Sequence, residues 1–145
     1  VKIEIEITLN SIHIGEFREV VTLAIGGKDP ADKFLSKLKN KDPIAYKALK
    51  TRIQAIADYE KTENDQTFRE VGGGIFEFKR NSPKLIRLYA FYDEIEGIGH
   101  LILCTNGGDK RQQNQDIQKA KDIRSLYFEA KTKPNTKIIY QEPQK

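Results

Sequence analysis

Residues 75–104 hold three apolar segments separated by short turn-forming stretches, and this run constrains the fold most. In the first segment Phe76 and Phe78 share one face while Glu77 and Lys79 take the other. Asn81, Ser82 and Pro83 then form a turn. In the second segment Ile86, Leu88 and Ala90 alternate with Arg87, Tyr89 and Phe91. The acidic stretch 93–97 turns the chain again, and 98–104 is the third segment. Strands joined this closely predict an antiparallel meander.

The rest of the chain frames that meander. Val1, Ile3, Ile5, Ile7 and Leu9 alternate with Lys2, Glu4, Glu6 and Thr8, which predicts a strand with one buried face. Residues 20–25 are rich in β-branched types and predict a second strand, paired with the first as a hairpin. Asp29-Pro30 and Asp42-Pro43 each carry a helix start, an Asp cap followed by Pro in the first turn. Phe34, Leu35 and Leu38 face one helix inward; Ala45, Leu49, Ile53 and Ile56 do so for the next. The short link between them favours a helical hairpin. Residues 61–66 read as a loop. Gly72, Gly73 and Gly74 precede a strand and lack a following Gly-Lys-Ser/Thr, so they read as a lead-in or bulge, not a phosphate loop. Asn106-Gly107-Gly108 reads as a chain break, and a last helix is expected over about 115–131. The order strands, helix, helix, strands, helix predicts an α+β domain, with helices on one face of a mostly antiparallel sheet. The expected organisation is a single domain over 1–131, with 1–18 an N-terminal extension, and a C-terminal tail over 132–145.

Composition narrows the chemistry. The chain has 145 residues, one cysteine and two histidines, which argues against a disulfide framework or a multi-histidine metal site; no metal or cofactor is expected. No apolar run approaches the roughly 18 residues of a membrane span, and no leader pattern opens the sequence. The net charge of +4 is unevenly placed. Residues 1–30 sum to −2, 31–70 to +2 and 71–145 to +4. Within 79–87 stand Lys79, Arg80, Lys84 and Arg87 with no acid. A polyanion would bind here first, although solvated surface lysines are the commoner account of such a run.

This order, with particular residues, resembles the RelE/ParE toxin superfamily, closest to the HigB or phage-derived Gp49-like branch. GGKDPADKFLSKL at 26–38 is similar to that family's strand-to-helix entry. GIFEFK at 74–79 resembles a motif of Gly, hydrophobic, aromatic, Glu, Leu and Arg, with Lys79 in the Arg place. LIRLYAFY at 85–92 resembles a strand carrying Arg before aromatics, which places Arg87. Lys110-Arg111 resembles the basic pair before the last helix, although Asn106-Gly107-Gly108-Asp109 replaces the Gly-Phe lead.

The resemblance implies a toxin of a type II toxin–antitoxin system: a cytoplasmic, metal-independent endoribonuclease that cleaves mRNA on the ribosome. Its partners would be a cognate antitoxin, a small DNA-binding protein, and the mRNA–ribosome complex. In such a reaction the ribose 2′-OH attacks the adjacent phosphate, and cations must meet the charge that develops. The catalytic candidates are Lys79, Arg87, Lys110 and Arg111, with His100 as a weaker acid–base candidate. Arg80 and Lys84 are RNA-binding candidates, and Tyr89 is expected to stack on an unpaired base. Glu77 shares a face with Lys79 and reads as its surface partner. The competing readings are a non-catalytic inhibitor of DNA gyrase on the same fold, and a protein-binding module whose basic face is merely solvated.

Overall fold

The computed structural model describes residues 5–59, 68–80 and 85–143. The opening alternation becomes β1 (Ile5–Ile14), which runs past the polar Asn10-Ser11. A bulge between Ser11 and His13 absorbs the break in pattern, so pairing continues to the strand end. Strand β1 pairs antiparallel with β2 (Glu19–Ile25), as the hairpin reading expects. Helices α1 (Pro30–Lys41) and α2 (Pro43–Asp58) start at the two Asp-Pro pairs. Asp29 accepts a hydrogen bond from the Asp32 amide at 2.9 Å, and Asp42 accepts one from Ala45 at 3.1 Å. Each cap satisfies an N–H that the helix leaves unpaired. The loop read at 61–66 and the turn at Asn81, Ser82 and Pro83 lie outside the described residues.

A strand that the sequence reading lacks, β3 (Phe68–Gly72), pairs with β4 (Ile75–Arg80). Gly73 and Gly74 between them have φ of +63° and +77°, the conformation a tight hairpin turn needs and other residues resist. The meander follows as β4, β5 (Ile86–Ile95) and β6 (Gly99–Asp109). A 3-10 turn, Lys110–Gln112, leads into α3 (Gln113–Lys131), and β7 (Thr136–Gln141) ends the described chain.

The seven strands form one sheet in the order β3-β4-β5-β6-β2-β1-β7. The fold is α+β, but the sheet is mixed: β2 lies parallel to β6 and β1 parallel to β7. The segment after Thr132, expected as a C-terminal tail, supplies an edge strand along β1. One further expectation is corrected: the helices cover both faces, not one. On one face α1 and α2 pack on Val20, Phe78, Leu88 and Ile102; on the other α3 packs on Leu9, Leu23, Phe91 and Leu103. The cause lies in β5, where both alternating sets are buried and, Arg87 apart, apolar, so neither face can be left to water.

The Asn106-Gly107-Gly108 stretch is a continuation of β6 rather than a break. A methyl at Gly107 would meet the Phe34 ring of α1 at 2.3 Å, and one at Gly108 would meet Asp116 Oδ2 of α3 at 2.1 Å. Successive glycines therefore admit a helix on each face of one strand. No helix among the described residues is long and apolar enough to cross a membrane.

Candidate functional site

Strand register gathers most of the sequence-predicted cations at one end of the sheet. Lys79 of β4 stands opposite Arg87 of β5, and Arg87 stands opposite Gly108 of β6. At about 4.8 Å per strand, these three positions span roughly 10 Å. Two residues beyond Gly108 the 3-10 turn begins with Lys110 and Arg111. Alternation puts Lys79, Arg87 and Tyr89 on the sheet face that α3 covers.

Their side chains are not equivalent. Lys79 is half-buried and has no carboxylate partner among the described residues. Arg111 is exposed, and Asp109 holds its guanidinium with bonds of 3.1 Å to Nε and 2.9 Å to Nη2. This pairing raises the already high Arg111 pKa. Asp109 also accepts the Arg111 amide at 2.9 Å and so shapes the turn.

Arg87 departs from the expectation of a displayed cation. Its side chain is only 6% exposed, and its Nε lies 3.0 Å from Oε2 of the fully buried Glu77. The other Glu77 oxygen accepts from Arg69 Nε of β3 at 2.9 Å. Glu77 therefore bridges two arginines on neighbouring strands and is not a surface partner of Lys79. The Arg87 Nη1 and the Tyr89 hydroxyl are buried without a hydrogen-bond partner among the described residues.

Tyr89 is fully buried, so its ring offers no stacking surface. Burial, helped by the Glu77 and Asp116 charges, pushes its hydroxyl up to about 12 and keeps it neutral near pH 7. Arg80 is buried on the opposite face, which leaves little of it for RNA. His100 lies at the other end of β6, exposed and 3.8 Å from Glu94. Gly108 lies eight positions further along, about 25 Å of strand, so His100 does not join the cations. Lys84 lies outside the described residues. Cys104 is buried and its thiol pKa is pushed up by desolvation, which leaves it an inert core residue.

One acid–base candidate escaped the sequence reading. Asp116, in the first turn of α3, places its carboxylate against Gly108. Desolvation raises its pKa, and the Asp109 charge adds to the rise against the opposing pull of Lys119. Asn106 Nδ2 donates to the Asp116 carbonyl at 3.0 Å and fixes this turn of helix to β6. In sequence, an acid in a helix first turn reads only as a match to the helix dipole. The site thus holds a half-buried lysine, an exposed arginine, a buried Glu77–Arg87 pair that the partly exposed Arg69 also contacts, and a carboxyl of raised pKa. No protein-family model, curated protein or solved structure matches the chain.

Proposed function

We propose that the chain is a cytoplasmic toxin of a toxin–antitoxin pair, an endoribonuclease that receives mRNA at this end of the sheet. The observation that carries the reading is the register of Lys79, Arg87 and Gly108, which brings the basic turn at 110–111 beside them. Lys79 and Arg111 meet the phosphoryl oxygens. Arg87, tied to Glu77, contributes a fixed positive field from below. Asp116 takes the 2′-OH proton as the 2′-oxygen bonds to phosphorus and the bond to the 5′-oxygen breaks; the departing 5′-oxygen takes its proton from solvent water and a 2′,3′-cyclic phosphate remains. A cognate antitoxin would cover this same end. The burial of Arg87 and Tyr89 favours a second reading, a non-catalytic binder such as a gyrase inhibitor.

Incubation with translating ribosomes, followed by mapping of mRNA 5′ ends, tests the proposal. Discrete cuts are expected. Loss of one well-placed cation, in Lys79→Gln or Arg111→Gln, should cost about 2–4 kcal/mol in the rate barrier. Asp116→Asn should lower the cleavage rate while RNA affinity holds. Each lost phosphate contact should also flatten the salt slope of RNA binding by about one. Intact messages together with inhibited gyrase supercoiling would replace this reading with the second.

A further inference from the structure

A polar groove of about 640 Å³ lies on the flank of α1 away from the basic end. Its floor is the middle of β1 and the end of β7, and its walls are α1 and α2. The volume is that of an ordinary small-molecule site. It holds both signs of charge. Lys39 of α1 and Lys50 of α2 approach one ring, that of Tyr46, with ammonium nitrogens 5.7 Å and 5.9 Å from its centroid. Neither lysine has a carboxylate partner among the described residues. The Ser36 hydroxyl lies one turn before Lys39 on the same helix. Asp32 and Glu142 also line the groove and supply carboxylates.

We propose that this groove binds a small phosphomonoester that also carries an amino group, such as a mononucleotide. Two ammonium groups match the charge of about −1.5 to −2 on a phosphomonoester near pH 7. Ser36 adds a neutral donor, and the carboxylates accept from the amino group. Partial burial and the neighbouring Asp29 charge push the Asp32 carboxyl up, as expected of a carboxylate short of donors. The site is independent of the RNA reading, because it shares no residue with it.

The test is a titration of the isotope-labelled full chain with AMP, adenosine and inorganic phosphate, read by amide chemical shifts. AMP should give saturable shifts at Ser36, Lys39, Tyr46 and Lys50. Phosphate should reproduce the shifts at the two lysines, and adenosine should bind more weakly than AMP. Lys39→Gln/Lys50→Gln, surface changes whose fold is checked by circular dichroism, should raise the AMP Kd about tenfold or more. Lys79→Gln/Arg111→Gln should leave AMP binding unchanged. The proposal is overturned if AMP gives no saturable shifts, if they fall only at the Lys79–Arg111 end, or if the Lys39/Lys50 variant binds like the parent.

Discussion

Glu77 is shut off from solvent while two arginines share its carboxylate. A buried charge of this kind is sustained only by its partners, and removing one side leaves the other uncompensated. Glu77→Gln keeps the shape and deletes the charge, so Arg87 stays buried without a counter-ion. The expected loss is about 3–5 kcal/mol, read as a lower urea midpoint at unchanged m-value. Glu77→Leu/Arg87→Met should recover much of it, since both buried charges then disappear and the partly exposed Arg69 is left to solvent. A Glu77→Gln cost below about 1 kcal/mol would show that the pair is hydrated and contradict this account. Two residues of this group, Arg87 and Glu77, were legible one at a time; Arg69 was not, nor was their partnership. Alternation assigns each residue to a face, but pairing needs the register between strands. Here Glu77 stands directly opposite Arg69 and Tyr89, and reaches Arg87 on the diagonal. The same gap hid Asp116, which meets Gly108 only after α3 folds back over β6.

The extent of helix α3 was readable within about two residues from the stripe of Ile117, Ala120, Ile123 and Tyr127. Its place on the second face was also written in the chain, because Tyr89 and Phe91 offer a second apolar set behind Leu88 and Ala90. That signal lay in β5 and not in α3, whose exposed sides are strongly polar. The helix end is clamped by Asp93, whose Oδ2 accepts from Tyr127 and from Lys131 Nζ, each at 2.6 Å. Burial alone would raise the Asp93 pKa, but the Lys131 and Tyr127 hydrogen bonds overcome it and the net shift is downward. A depressed folded pKa gives stability that is present above the unfolded value of about 3.9 and is lost as pH falls through the folded one. Urea midpoints should therefore fall as pH drops below about 4. Asp93→Asn should weaken the clamp at pH 7 by about 1.5–3 kcal/mol and flatten this acid limb. An acid limb of the same depth in that variant would assign the effect to other carboxylates.

Across the whole molecule the legible pairings were local ones, although the β3–β4 hairpin was missed with β3. The β1–β2 hairpin and the β4–β5–β6 meander join neighbours in sequence, where turn residues announce the pairing. The β2–β6 and β1–β7 pairings are parallel and join distant segments, so no turn signals them. The β1–β7 pairing matters most for integrity, since without it β1 becomes a free edge with unpaired backbone groups. Strand β7 also brings Tyr140, whose hydroxyl donates to buried Glu19 at 2.5 Å. Removing residues 133–145 exposes the β1 edge and leaves that carboxylate without its tyrosine donor. Losing the donor to a buried charged group alone costs about 1.5–3 kcal/mol, to which the lost pairing adds. The truncated chain should unfold at lower urea and form concentration-dependent oligomers, seen by light scattering on a sizing column. Tyr140→Phe separates the two contributions. It should lower the urea midpoint while the chain stays monomeric, because the β1 edge remains paired. A truncated chain that matches the full one in both measurements would show that β7 is an appendage to the domain drawn over 1–131.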